Sequence, residues 1–205
     1  MSKDRTRHLV LLALFVAIEA VMMYTPLGYL PIGPLQLTTL HIPVILAGIL
    51  LGPADGAFIG LVFGITSVVY ATTVPNAASF IFSPFYAAGG YSGSGWSLAV
   101  ALVPRIVLGL GSGWLVAVLR RTGMRPGLAT AVTAVAMTLV HSVLVLTGIY
   151  VFFGPQYAKL TGIEYSTLAR ALAMVVLTNS LLEAALAAAV CWPVEKAVHT
   201  VQARG

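Results

Sequence analysis

The stretch that decides the fold is TTLHIPVILAGILLGPADGAFIGLVFGITS, residues 38–67. Two apolar runs flank the pair Gly52-Pro53, and neither run alternates polar and apolar residues as a half-buried strand would. A glycine followed by a proline ends one helix and begins the next. The segment therefore predicts a tight hairpin of two apolar helices, over about 37–51 and 56–72.

The composition of the whole chain agrees with a lipid environment. Of its 205 residues, 59% are hydrophobic and 8% are charged, whereas soluble domains have about 25% charged residues. Only helices and closed barrels satisfy their backbone polar groups inside a bilayer, and long apolar runs indicate helices. The sequence predicts an all-α integral membrane protein with a single domain over residues 1–205.

Six segments are apolar enough to serve as spanning helices. The predicted bundle of six transmembrane helices covers about 9–24, 37–51, 56–72, 96–119, 128–153 and 166–190. The connections at 25–36, 73–95 and 154–165 contain prolines, glycines and aromatic residues. Long structured connections are often binding loops.

Lysine and arginine are concentrated at one end of these spans, which is typical of the cytoplasmic side. With both termini in the cytoplasm, one side receives Lys3, Arg5, Arg7, Arg120, Arg121, Arg125, Lys196 and Arg204. The other side receives Lys159 and Arg170. We therefore assign the net charge of +5 to membrane orientation and predict no nucleic-acid partner. The three long connections then face outward, where they could receive a solute.

Small residues recur at four-residue spacing on several predicted helices, and such residues let helices approach closely in lipid. The glycine repeats are interpreted as internal packing seams: Gly48 with Gly52, Gly56 with Gly60 and Gly64, and Gly109 with Gly113. On the first helix, Ala13 and Ala17 form a similar pair. That pair could pack internally or could present a flat face to a partner helix.

A few polar side chains lie at membrane depth, where they usually face the protein interior or a water-filled cavity. They are Glu19, His41, Arg105, His141, Asn179 and Glu183. Arg105 could form a buried ion pair with Glu19 or Glu183, or could bind an anion through its forked donors. Both can hold, if Arg105 exchanges an internal partner for a ligand. We interpret both histidines as satisfied polar groups, and we predict no metal and no cofactor.

One motif suggests an enzyme. Gly90-Tyr91-Ser92-Gly93 matches the G-x-S-G of rhomboid intramembrane proteases, with His141 available as a base. Ser92 falls in a connection rather than at the start of a helix, so this alternative is weak. The sequence has no phosphate-binding loop, so ATP-driven transport would need a separate ATPase subunit. A transporter that acts alone is a further alternative.

The segment 38–67 resembles the substrate-binding S component of energy-coupling factor (ECF) vitamin transporters. The resemblance continues through Phe82-Ser-Pro-Phe85, Val103-Pro-Arg-Ile-Val-Leu-Gly109 and Gly148-Ile-Tyr-Val-Phe-Phe-Gly154, and it is greatest to the pantothenate-specific branch. It implies a multi-pass protein of the bacterial cell membrane that is not an enzyme. Its ligand would be pantothenate or another vitamin. Its partners would be a transmembrane coupling subunit and two ATPase subunits.

The resemblance also implies roles for individual residues. Ala13 and Ala17 would contact the coupling subunit. The depth and side of the side chains suggest further roles: Arg105 could hold the carboxylate of pantothenate, and Phe80, Phe82 and Trp96 could cover its gem-dimethyl group. The predicted substrate-binding residues are Thr38, His41, Asn76, Tyr86, Trp96, Arg105, His141 and Asn179.

Overall fold

The computed structural model describes residues 3–32 and 35–202, and it is nearly all-helical. Its helices are α1 (Lys3–Met23), α2 (His41–Leu51), α3 (Pro53–Thr73), α4 (Gly95–Arg121), α5 (Pro126–Thr161), α6 (Tyr165–Val175) and α7 (Leu181–Gln202). A π-helical turn, Val176–Ser180, joins α6 to α7, and the two run on as one helical segment. Gly33 and Pro34 of the first connection, and Arg204 of the predicted cytoplasmic set, lie outside the described residues.

Five helical segments of the described chain are long and apolar enough to cross a membrane. They are Arg5–Met23, Pro53–Thr73, Gly95–Arg121, Pro126–Thr161 and Tyr165–Val198. Helix α2 is apolar but has only 11 residues, which is about 16 Å at 1.5 Å per residue, or roughly half of a hydrocarbon core. Every residue from His41 to Ile49 is buried, so α2 is surrounded by protein rather than by lipid.

The first connection forms a β-hairpin, which the all-α prediction did not include. Strand β1 (Tyr29–Ile32) pairs antiparallel with β2 (Leu35–Thr38), and Tyr29 lies opposite Thr38. The predicted start of the second helix at residue 37 was therefore wrong, because α2 begins at His41. The alternation of apolar and polar residues in Leu-Gln-Leu-Thr has the two-residue period of a strand.

The second connection contains a 3₁₀ turn (Ser79–Ile81) and a smaller hairpin of β3 (Ala87–Ala88) and β4 (Tyr91–Ser92). The two residues between these strands, Gly89 and Gly90, have φ angles of +63° and +80°. A two-residue turn with positive φ at both positions matches the right-handed twist of paired strands, and glycine adopts it without strain.

Helix α5 extends to Thr161, beyond the predicted end at Phe153, although Pro155 lies inside it. The predicted turn at 154–165 was wrong in this respect, since α6 already begins at Tyr165. The extension packs against α6, where Ala158, Leu168 and Leu172 form a buried cluster. This burial outweighs the helix hydrogen bond that the proline removes.

Helices α2, α3 and α4 pack backbone to backbone along the predicted glycine repeats. A Cβ atom on Gly56 would lie 2.3 Å from the carbonyl oxygen of Gly109, and one on Gly48 would lie 2.6 Å from the same oxygen. A Cβ atom on Gly60 would lie 2.1 Å from the carbonyl oxygen of Arg105. The interpretation as internal seams is confirmed except at Gly52, where a Cβ atom would meet nothing within 4 Å. The seam also fixes the position of Arg105 relative to α3.

At the end of the bundle away from the hairpins, charged side chains connect the helices. Arg120 Nη2 on α4 lies 2.8 Å from Glu195 Oε1 on α7, and the Glu195 side chain is buried. The same Arg120 nitrogen lies 3.4 Å from Thr130 Oγ1 on α5. His8 Nε2 on α1 lies 3.4 Å from Asp55 Oδ1 in the first turn of α3.

Candidate functional site

A cavity of about 360 Å³ lies among α2, α3, α4, α5 and the segment that joins α6 to α7. This volume falls in the range of small-molecule sites, about 300–1,000 Å³. Its polar lining consists of Thr38, His41, Ser67, Tyr70, Asn76, Ser79, Arg105, His141, Ser142, Asn179, Ser180 and Glu183. Its apolar lining includes Phe63, Phe82, Val145 and Leu146. A polar cavity at the level of spanning helices is suited to a water-soluble ligand.

The cavity brings together most of the residues that the sequence predicts for substrate binding. Six of them line it: Thr38, His41, Asn76, Arg105, His141 and Asn179. They come from five separate parts of the chain, so the fold and not the sequence spacing collects them. Their role in binding a ligand stays a prediction.

Tyr86 and Trp96 lie outside this lining. Tyr86 packs against the buried cluster around Phe80 and Ile81. Trp96 is 56% exposed, and its ring stacks on Phe152 with the centroids 4.3 Å apart. Phe80 is fully buried and packs against Tyr91. Of the three aromatics expected to cover the gem-dimethyl group, Phe80, Phe82 and Trp96, only Phe82 is in the cavity lining.

Pro104 determines how Arg105 is held. A proline has no N–H, so the carbonyl of Val100, four residues earlier in α4, loses its usual helix donor. Arg105 Nη1 donates to that carbonyl at 2.6 Å. The guanidinium also lies over two rings, with Cζ 5.3 Å from the centroid of Phe63 and 5.1 Å from that of Phe82. A buried, planar cation is thereby fixed at the cavity wall, in a form that matches a carboxylate.

The two carboxylates that were considered as ion-pair partners of Arg105 lie in different surroundings. Glu19 is fully buried on α1, and both of its carboxylate oxygens have no hydrogen-bond partner within the described part of the chain. Glu183 Oε1 accepts a hydrogen bond from the backbone N–H of Thr38 at 2.7 Å. The binding of an external anion by Arg105 stays a prediction.

The two histidines of the cavity are satisfied polar groups only in part, and His41 hydrogen-bonds to backbone at Thr38 and Glu183. Nε2 of His41 and Nε2 of His141 are buried and have no hydrogen-bond partner among the described residues. The His141 ring lies 6.3 Å from that of Phe63, so it shares the aromatic wall that holds Arg105. Buried polar atoms normally have partners. Both histidines line the cavity, and binding of a ligand by their side chains stays a prediction.

The polar residues of the cavity differ in how much of their hydrogen-bonding capacity the fold uses. Asn76 Oδ1 accepts from the backbone N–H of Ala78 at 2.8 Å, so its carbonyl shapes the turn before the 3₁₀ segment. Asn179 and Ser180 lie on the π-helical turn, which replaces regular α-helix where the chain passes the cavity. Such turns are frequent at functional sites.

No group of three or more His, Cys, Asp or Glu side chains in the described part of the chain could hold a metal ion.

A profile of the family described as ECF transporter, substrate-specific component, matches residues 7–195. The chain belongs to this family. This S component is 38% identical over 190 residues to the "Pantothenic acid transporter PanT" of Lactococcus lactis subsp. cremoris, with 91% of each chain covered. It is 34% identical over 117 residues to the "Pantothenate transporter PanT" of Leuconostoc mesenteroides subsp. mesenteroides, covering 54% of this chain and 50% of that one.

The fold of this S component is similar to a solved structure. It matches the crystal structure of the S-component for biotin from an ECF-type ABC transporter with a TM-score of 0.56 and 15% identity, covering 96% of this chain and 95% of that one. The family membership confirms the resemblance seen in the sequence. Together with the apolar helices, it makes this S component a multi-pass membrane protein.

The protease alternative has no support in the structure or in the relatives. Ser92 is exposed on β4 and does not line the cavity, whereas His141 does. Nε2 of His141 has no hydrogen-bond partner in the described residues, so the two do not form a Ser–His dyad. The relatives that match most of this S component carry the names of transporters, not of enzymes.

Proposed function

We propose that this S component captures pantothenate for an ECF-type transporter of the bacterial cell membrane. The single observation that carries the proposal is one cavity that is lined by the fixed guanidinium of Arg105 together with His41 and His141. The identity of 38% to a pantothenic acid transporter supports the choice of vitamin. Pantothenate has a carboxylate, an amide and two hydroxyls, and the cavity offers a partner for each kind of group.

Arg105 holds the carboxylate in this proposal, because it is the cationic side chain of the cavity lining and its plane suits a bidentate contact. His41 and His141 face the same space and bind the remaining polar atoms. Phe82 lies beside the guanidinium and covers the gem-dimethyl group. Thr38, Asn76 and Asn179 complete the polar lining.

The transport cycle needs partners that this chain does not supply. We place a single six-helix domain in the membrane, with α2 as its short member and both termini in the cytoplasm. Ala13 and Ala17 are exposed on α1, opposite the buried Phe15 and Glu19, so a flat small-residue face is open to a coupling subunit. Two ATPase subunits hydrolyse ATP.

Binding of pantothenate by the purified protein tests the ligand. Isothermal titration in detergent is expected to show saturable binding, and Arg105→Ala is expected to weaken it more than tenfold. Arg170→Ala is the matched control, since Arg170 is exposed on α6 and lies outside the cavity. If the wild-type protein does not bind pantothenate, or if folded Arg105→Ala binds as well as wild type, the proposal is wrong.

Docking and energy coupling need a separate experiment. Uptake of labelled pantothenate is expected only in cells that also contain the coupling and ATPase subunits. Ala13→Leu with Ala17→Leu is expected to abolish uptake while leaving binding by the purified protein within twofold of wild type. Uptake without those subunits would instead indicate a transporter that acts alone.

A further inference from the structure

Glu183 connects the first hairpin to the cavity. It lies on α7, one turn beyond Asn179, and its Oε1 accepts from the N–H of Thr38 at 2.7 Å across 145 positions of sequence. Thr38 is the last residue of β2, and both residues line the cavity. One carboxylate therefore contacts the hairpin and the ligand space at once.

The base of the hairpin is otherwise closed by its own chain. The backbone N–H of Thr39 donates to the carbonyl of Gly28 at 3.1 Å, and its hydroxyl donates to the carbonyl of Leu27. These bonds join the two ends of the hairpin but do not attach it to α7. The bond from Thr38 to Glu183 makes that attachment.

A carboxylate has two oxygens and about four acceptor positions, and Thr38 engages two of them, through its N–H and its hydroxyl. Glu183 is only partly buried and lines the cavity, so a donor inside the cavity can reach it. Its chemistry is opposite to that of Arg105. An anionic acceptor repels the carboxylate of a ligand and binds hydroxyl or amide N–H donors.

We propose that Glu183 is a specificity residue that accepts a hydrogen bond from a hydroxyl of the bound ligand while it holds Thr38, so that ligand binding fastens the hairpin. This inference rests on the proposed function. It gives the ligand a direction in the cavity, with its carboxylate at Arg105 and its hydroxylated end at Glu183. An acid of similar size without hydroxyls loses the second contact.

The test compares pantothenate with a synthetic analogue that lacks both hydroxyls. In wild type, pantothenate is expected to bind at least tenfold more tightly than the analogue. In Glu183→Ala, pantothenate is expected to lose about tenfold in affinity and the analogue less than threefold, so the preference disappears. Glu183→Gln keeps an acceptor for Thr38 and is expected to lose affinity for pantothenate to a smaller extent. Glu164→Gln, an exposed change before α6, is the control.

Hydrogen exchange of the segment around Thr38 provides a second measurement. Pantothenate is expected to slow exchange there in wild type and to have less effect in Glu183→Ala. If that variant weakens both ligands equally, Glu183 only holds the hairpin and the proposal is wrong. If that variant weakens the binding of neither ligand, Glu183 does not contact the ligand and the proposal is also wrong. Failure of wild type to bind pantothenate would overturn the proposed function itself, and this inference with it.

Discussion

The seam between α3 and α4 allows a prediction whose size follows from the structure. A Cβ atom on Gly60 would lie 2.1 Å from the carbonyl oxygen of Arg105, whereas ordinary contact begins at 3.4 Å. In Gly60→Ala the two helices must therefore separate by up to about 1.3 Å, the difference of these distances. The obstacle is helix backbone, which cannot rotate away as a side chain can. Overpacking of this kind costs about 1–3 kcal/mol.

The same displacement moves Arg105 away from the rings of Phe63 and Phe82, so Gly60→Ala should also weaken binding. We expect the affinity for pantothenate, the proposed ligand, to fall about tenfold, which corresponds to about 1.4 kcal/mol. Thermal unfolding in detergent measures the stability, and calorimetric titration measures the affinity.

Gly111→Ala is the matched control for this change. A Cβ atom there would meet Met137 Cε at 2.4 Å, and that atom is the flexible end of a side chain. Stability and affinity should stay close to wild type. The reasoning is refuted if Gly60→Ala melts and binds like wild type, or if Gly111→Ala is equally damaging.

Three further predictions concern other parts of the molecule. Pro104→Ala restores a backbone N–H that competes with Arg105 for the carbonyl of Val100. Titration should show about threefold weaker binding of pantothenate with no loss of thermal stability, and an unchanged affinity would contradict this. Trp96→Ala should leave the affinity within twofold, because the ring stacks outside the cavity; a tenfold loss by the same titration would place it at the ligand. Arg120→Met removes the ion pair to the buried Glu195 carboxylate, so we expect the free energy of unfolding to fall by about 2–3 kcal/mol. An unchanged melting temperature would show that this ion pair does not stabilise the fold.

Much of the fold follows from hydrophobic patterning, because a bilayer imposes helices on long apolar runs. The glycine repeats also identified the seams correctly, since small residues have few other uses at that spacing. The hairpin β1–β2 was missed because prolines and glycines in residues 25–36 hide the short strand pattern. The length of α5 was missed because Pro155 marks a helix end locally, whereas packing against α6 decides the outcome.

Residues of the candidate site could be predicted where their depth in the membrane was sufficient to identify them, as for Arg105 and the two histidines. The side of the helix on which a residue lies could not be predicted, so Trp96 was included although its ring stacks on Phe152. The link from Pro104 through the Val100 carbonyl to Arg105 could have been inferred, because a proline inside a helix always frees the carbonyl four residues earlier. The bond from Thr38 to Glu183 could not, since it joins positions 145 residues apart.

Helices α2, α3 and α4 touch through their main chains at the glycine seam, where there is no side chain that could repack. We therefore expect these three helices to behave as one rigid block during transport. We expect changes of shape on loading and unloading to occur in the first hairpin, which the bond from Thr38 to Glu183 attaches to α7, and in the π-helical turn between α6 and α7. A search for compounds that arrest the protein in one state should aim at those two places and not at the glycine seam.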